Sequence, residues 1–230
     1  MEDRSISTCG VPLRNPAGVV CPVRGAEVAA CCRRERVAAT AAREKEGAGM
    51  KIAVAGSHGT GKTTLARMLA DALGLPLITE RAREAARQMK LEDLGVLLRD
   101  RSAAQSFQAL VWELQTRAEE KMASFVSDRS VYDVLAYCLF YGLEDTAWYR
   151  WAEGEVRGRA RYDAVVYVPV EFLPEDDGFR FVCPGCQRFV DVLVRQLLGS
   201  VGAAERVVTA SGATPEERLG KVLAALRAAA

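Results

Sequence analysis

The 230-residue sequence holds one histidine, His58, which excludes His-based catalytic triads and His-rich metal sites. No stretch reaches the roughly eighteen apolar residues of a membrane span, and the N-terminus lacks the basic start and apolar core of a secretory signal. Formal charge is only +1, so the chain has no global field of the kind that draws nucleic acid or an anionic membrane surface. Neither partner is expected. Seven cysteines, an odd number without a regular framework, argue for reduced thiols and a cytoplasmic protein. No internal repeat is visible, and the length suits one well-buried α/β domain or one domain plus an appendage.

What is present is concentrated in Gly56-Ser57-His58-Gly59-Thr60-Gly61-Lys62-Thr63. This stretch follows the apolar run Ile52 to Ala55 and fits the phosphate-loop pattern GxxxxGK[ST] at every fixed position. Its glycines let successive backbone N–H groups turn around a phosphate, and the loop feeds the positive end of a helix, where anions bind. Lys62 would reach the β- and γ-phosphates, the Thr63 hydroxyl would ligate magnesium, and Thr64 continues the cradle. His58, at a variable position, is expected to add only a backbone N–H.

From Met50 onward, strand and helix alternate. Expected strands are Lys51 to Ala55, Leu75 to Thr79, Ser124 to Ser127, Tyr162 to Val168 and Arg206 to Thr209. Between them, helical patterns run over 63–73, 81–89, 106–122, 131–140, 145–159 and 187–198, and a last helix opens at Pro215. Five strands separated by helices predict a parallel sheet with helices on both faces, a three-layer sandwich.

Residues 1–49 differ. They show no sustained period, carry Pro12, Pro16 and Pro22, and hold Cys9, Cys21, Cys31 and Cys32; little packed structure is expected there. Those cysteines lack a CxxC pair, which makes them a poor metal site. Residues 46–49 can be encoded to place a purine-rich ribosome-binding sequence just before Met50, so initiation at Met50 is expected.

Ligands of open α/β sheets bind beyond the carboxyl ends of the strands. That rule gathers Glu80, Asp128-Arg129 and the segment after Val170 around the phosphate loop. Asp128 is placed to hold magnesium directly or through water, and Arg129 to pair with phosphate. Glu80 could orient or deprotonate an acceptor hydroxyl. For Glu80 the alternative is ordinary solvated charge at a helix start, and for Asp128 and Arg129 a surface ion pair. Residues 171–190 suggest a lid in which Arg180 and Arg188 close over a triphosphate, against the alternative of a solvated loop. Within it, Cys183-Pro184-Gly185-Cys186 is read as incidental thiols, with half a zinc ribbon or a redox-labile lid as alternatives; a thioredoxin-like motif would have to open a helix in a different fold.

GSHGTGKTTL, TERARE, SDRSVYDVLAY and EDDGFR together resemble a family of P-loop kinase-like ATP-binding proteins, grouped with AAA-type ATPases. It includes the ribosylnicotinamide kinase domain of the bacterial nicotinamide-nucleotide regulator and lies near deoxynucleoside and thymidylate kinases. The resemblance covers about Met50 to Ala228, and CPGC departs from it. It implies a P-loop NTPase fold with sheet order 2-3-1-4-5, ATP with Mg2+ as cofactors, a lid Arg180 on ATP, and Ser211-Gly212 near the adenine.

The leading expectation is therefore a kinase acting on a small-molecule phosphoryl acceptor with a nucleoside-like hydroxyl. Lys62, Arg129 and Arg180 would stabilise transferring charge, and Glu80, Arg83, Gln108, Arg129, Asp133 and Tyr137 would form the acceptor side. A homodimer is a possible assembly. The alternatives are a nucleotide-dependent ATPase or switch acting on a protein partner, and a binding protein without turnover.

Overall fold

The computed structural model describes residues 49–157, 161–173, 183–200 and 206–228, all within the second of two units, Gly49–Ala230. Strand β1 (Lys51–Ala55) leads into helix α1 (Lys62–Leu73), β2 (Leu77–Ile78), α2 (Ala82–Gln88), a 3₁₀ turn (Leu94–Leu98) and α3 (Arg101–Glu120). Then follow β3 (Phe125–Asp128), α4 (Val131–Phe140), α5 (Ala147–Val156), β4 (Ala164–Tyr167), α6 (Pro184–Ser200), β5 (Val207–Thr209) and α7 (Pro215–Ala228). The sheet is parallel throughout, in the order β2-β3-β1-β4-β5, which is the expected architecture. Residues 1–48, with the expected loose extension and Cys9, Cys21, Cys31 and Cys32, lie outside the described residues, as does Arg180.

Side chains alternate across the strands. Ile52 and Val54 of β1 join Leu65 and Leu69 of α1 and Val222 of α7 in one apolar layer. Ala53 and Ala55 face the other way, into a larger core with Phe107 and Val111 of α3, Val134 and Leu135 of α4, and Val190 and Val194 of α6. Both faces of the central strands are buried, which is why they read as continuous apolar runs rather than alternating ones.

Register places the chemistry at one edge. Val54 pairs with Asp128 and Ala55 with Tyr167, so the end of β1 delivers Gly56 beside the end of β3. At Gly56, φ is +145° and an added Cβ would sit 2.5 Å from the Val168 carbonyl oxygen. Only glycine fits there, and this close approach keeps the phosphate loop against the sheet.

Several boundaries differ from expectation for local reasons. Helix α3 starts five residues early because the Asp100 carboxylate accepts from the Ala103 amide at 2.9 Å and caps it. The 3₁₀ turn before it was unforeseen. It is organised by Asp93, which accepts from the Gly95 amide. Helix α6 begins at Pro184 rather than Gln187, so CPGC opens a helix instead of lying in a loop, and Cys183 and Cys186 form a disulfide in place of the expected incidental thiols. Proline suits the first helical position, where its missing N–H costs nothing.

All three tryptophans of the chain meet on one corner. Trp112 of α3 lies 6.1 Å from Trp148 and 6.0 Å from Trp151 of α5, both edge-on. No helix among the described residues is long and apolar enough to cross a membrane.

Candidate functional site

The loop from Gly56 to Thr63 is held from outside by its carbonyls. Thr60 Oγ1 donates to Ser57 O at 3.0 Å, and Lys62 Nζ rests on the same oxygen and lies 3.2 Å from Thr60 Oγ1. Gln187 Nε2 of α6 donates to His58 O at 2.9 Å and Gly59 O at 3.5 Å. Arg218 Nη1 of α7 donates to Thr60 O at 2.7 Å. With the His58, Gly59 and Thr60 carbonyls engaged outward, peptide geometry turns the N–H groups that follow them toward the loop's interior, as in a nest for anionic oxygens. Gly59 and Gly61 take left-handed φ of +66° and +82° to allow this. Helices α3, α4 and α5 are capped by Asp100, Ser130 and Thr146, whereas α1 begins at Gly61 with no side-chain cap and no acidic residue in its first turn. Its terminal N–H groups therefore face the loop with their positive end unneutralised.

Asp133 fixes the start of this loop. Its Oδ1 accepts from the Gly56 amide at 2.9 Å, and its Oδ2 accepts from the Ser130 amide at 2.8 Å in the capping box of α4. Proposed from sequence as an acceptor contact, Asp133 also borders the apolar-walled cavity described below.

At the start of α1, Thr63 Oγ1 donates to Asp128 Oδ2 at 2.7 Å. Burial pushes the Asp128 carboxyl above its ordinary range and Glu80 adds to the rise, while the Thr63 hydroxyl, Arg129 and Lys62 pull the other way. Because the folded state prefers the proton, ionised Asp128 costs stability at any pH above its unfolded value, and that cost fades as pH falls. Asp128→Asn is accordingly expected to raise the melting temperature of the nucleotide-free protein at neutral pH by roughly 2–4 °C, about 1 kcal/mol for a domain of this size. Scanning calorimetry at two pH values checks it, the gain shrinking toward pH 4.

Arg129 is the most constrained residue of the site. Its φ is +97°, a conformation that non-glycine residues hold only when their surroundings force it. The backbone is pinned by its N–H to Val54 O at 3.0 Å. Arg129 Nε donates to Glu80 Oε1 at 2.8 Å, with both side chains under a tenth exposed. The guanidinium also lies 5.5 Å over the Tyr137 ring. Desolvation would lower its proton affinity, yet Glu80 above all, then Tyr137, Asp133 and Asp128, outweigh it and keep the cation charged. Its Nη1 is buried, 3.8 Å from Asp133 Oδ1, and makes no hydrogen bond among the described residues.

Two cavities meet at this ion pair. One is bounded by Gly59 to Thr63, Glu80, Asp128 and Arg129. The other is walled by Leu94, Phe107, Val111, Val134, Tyr137 and Tyr141, with Gln108, His58 and Asp133 as polar groups, and shares Glu80 and Arg129 with the first. His58, expected to supply only a backbone amide, presents a buried imidazole whose Nδ1 is 3.1 Å from Tyr137 Oη. Arg83 falls outside: its side chain is 45% exposed and 3.7 Å from Glu80, while Ala82 takes the wall position. Arg188 is exposed on α6, one residue past Gln187, without a polar contact to another described residue.

A third hollow adjoins the loop's far side, between Thr60, Gly61, Thr64, Phe172, Ala213, Thr214 and Arg218. Ser211 and Gly212 border it in sequence; the Gly212 amide donates to Glu171 Oε2 at 3.1 Å, and Lys221 Nζ donates to Ser211 O at 2.9 Å. The buried Arg218 knits this side together, donating to Gly212 O at 2.9 Å and Glu171 Oε2 at 2.6 Å and lying 5.0 Å over the Phe172 ring. Desolvation pushes the Glu171 carboxyl up, but the Gly212 amide and Arg218 outweigh it and leave it below its ordinary range. Neither Gln187 nor Arg218 carries a sequence signal, since each acts through contacts more than a hundred residues away. Among the described residues no group of three or more His, Cys, Asp or Glu could hold a metal, which leaves the zinc-ribbon alternative without a second half there.

A family model described as an AAA domain matches residues 51–202, and no curated protein matches the sequence. Among solved structures, the chain is similar to NadR in complex with NR, with a TM-score of 0.58 and 22% identity over 79% of this chain and 51% of that one. NadR in complex with NAD and AMP-PNP gives 0.53 and 18% over 76% and 49%. The chain therefore spans about half the length of NadR. Deoxyadenosine kinase from M. mycoides, with products dCMP and a flexible dCDP bound, gives 0.58 and 14% over 78% and 100%. Thymidylate kinase from Ehrlichia chaffeensis gives 0.55 and 18% over 77% and 98%. At these identities the likeness is one of fold.

Proposed function

The chain belongs to the AAA domain family whose model matches residues 51–202, and from that premise we propose that it transfers the γ-phosphoryl group of ATP to a hydroxyl of a nucleoside-like small molecule. One observation carries the reading. The phosphate cavity and a largely apolar cavity adjoin through the shared Glu80–Arg129 pair, so a donor and an acceptor bound in the two would meet at a carboxylate and a cation. A loop that only held nucleotide would have no use for the second cavity. Aromatic walls with a few polar groups suit a flat ring carrying a sugar-like hydroxyl, and solved likenesses named as kinases, or bound to NR, lie in the same direction.

In this reading the loop amides and Lys62 bind the β- and γ-phosphates, and the hollow at Thr64, Ser211-Gly212 and Phe172 takes the adenine side. The acceptor sits against Phe107, Gln108 and Tyr137. Glu80, paired with Arg129, accepts the hydrogen bond of the attacking hydroxyl and takes up its proton as the O–P bond forms and ADP leaves. Arg129 Nη1 donates to the transferring group, whose charge spreads over its equatorial oxygens. Arg180 and Arg188 are proposed to join from the lid side. Thr63 and Asp128 supply two hard oxygens 2.7 Å apart, one of them a carboxylate raised by burial, which fits Mg2+ that keeps its remaining positions for water and phosphate. Bound there, the ion would neutralise phosphate charge.

The test is ATP consumption by the purified chain across nucleosides, ribosylnicotinamide and small sugars. Acceptor-dependent ADP formation is expected for at least one. Equal phosphate release with and without every acceptor would overturn phosphoryl transfer and leave an ATPase.

A further inference from the structure

Cys183 and Cys186 are bonded with Cα atoms 5.2 Å apart, across the first turn of α6. We propose that they form a reversible dithiol–disulfide site whose redox state sets the nucleotide affinity of the phosphate loop. The inference rests on the nucleotide-binding half of the function proposed above and makes no use of phosphoryl transfer.

Three observations carry it. First, the pair sits where thiol chemistry is favoured. Cys183 directly precedes the first helical residue, its Sγ accepts from the Cys186 amide at 3.1 Å, and both residues are partly exposed. A helix N-terminus stabilises thiolate, and partial exposure admits a reductant. Cys138, by contrast, is free but wholly buried, and burial pushes its thiol well above the ordinary range; it is inert packing.

Second, the next residue is the loop's outer brace. The Gln187 amide donates to Cys183 O at 2.9 Å, which closes the same turn that the disulfide staples. Gln187 itself is buried, its side chain holds the His58 and Gly59 carbonyls, and its own carbonyl accepts from Ser57 Oγ at 2.7 Å. Three hydrogen bonds thus join the stapled turn to the segment that must turn its amides toward phosphate.

Third, the two redox states differ in charge as well as in stiffness. An external dithiol attacks one sulfur as thiolate, forms a mixed disulfide and releases the other cysteine. The reagent's second thiol then resolves it, leaving two cysteine thiols and the reagent as its own disulfide: two electrons and two protons enter the protein. The reduced turn loses its staple, and any thiolate adds negative charge to the helix end that braces the loop. Both effects oppose a polyphosphate.

The full-length chain is equilibrated with dithiothreitol or with its oxidised form. The tryptic peptide of residues 181–188 reports the state by its mass, a difference of two hydrogens, and titration with a fluorescent ATP analogue reports affinity. The peptide is expected to switch with poise, and Kd to rise about fivefold on reduction, at the low end of coupling between sites. C183S/C186S should bind with one affinity at every poise, and Gln187→Ala, which loses two of the three hydrogen bonds, should switch its peptide with a smaller change in Kd. A peptide fixed in one state, a Kd that ignores the switch, or a C183S/C186S variant whose Kd still follows the poise would each overturn the proposal. Absence of analogue binding in both states would overturn the nucleotide reading as well.

Discussion

Alanine in place of Lys62 is expected to lower acceptor-dependent turnover by about 10³-fold or more while leaving the fold intact. The ammonium is buried within the loop it serves, against Ser57 O and Thr60 Oγ1, and has only to exchange these oxygens for those of a phosphate. In a site closed to water a positioned charge acts at low effective dielectric, and losing one positioned neutral donor already costs on the order of 10²–10³. A cation directed at transferring phosphate should cost more. The fold has little stake in this side chain, because the outward carbonyls of His58, Gly59 and Thr60 are held by Gln187 and Arg218. Circular dichroism should match the parent, and coupled ADP release measures turnover. Activity within tenfold of the parent would refute the site.

Arg129→Ala is expected to show two separable losses. Activity should fall by about 10²–10³-fold, as for a lost transition-state donor. Stability should fall by about 3–5 kcal/mol, because Glu80, under a tenth exposed, would be left as a buried charge with its closest partner gone. The double variant Arg129→Ala/Glu80→Gln separates the two. Removing the stranded charge should recover most of the stability in urea titrations and none of the activity. A double variant as unstable as the single one would mean that the ion pair is not what Arg129 contributes to folding. Recovered activity would remove both residues from the chemistry.

Much of this molecule was legible in its sequence because local rules decide it. The phosphate loop is one contiguous stretch whose glycines answer to backbone conformation, and the parallel sheet follows from apolar strands alternating with helices, while its order came only with the resemblance to a known family. Asp128 and Arg129 could be read from the end of an apolar strand. What escaped depends on contacts distant in the chain. Gln187 and Arg218 look like ordinary helical surface residues until folding sets them against carbonyls of the loop. His58 counted only as a variable position because nothing nearby announces Tyr137, 79 residues on. Arg83 failed for the opposite reason: its neighbours resemble a site, but helical geometry turns Ala82 inward and leaves Arg83 half in solvent. Asp100 shows how one residue moves a boundary, since a cap competes with apolar periodicity for where a helix begins.

The gathering of every tryptophan on the corner between α3 and α5 has an optical consequence. Helix α3 carries Phe107, Gln108 and Val111 into the cavity proposed for the acceptor and Trp112 into the indole cluster one residue later. Indole emission therefore comes entirely from the outer side of that cavity's wall, with no indole in the phosphate loop. Binding of an acceptor that shifts α3 would register as a change in indole fluorescence, whereas nucleotide entering the loop needs an extrinsic dye to be seen. The two half-reactions of loading can thus be followed in separate channels on one sample.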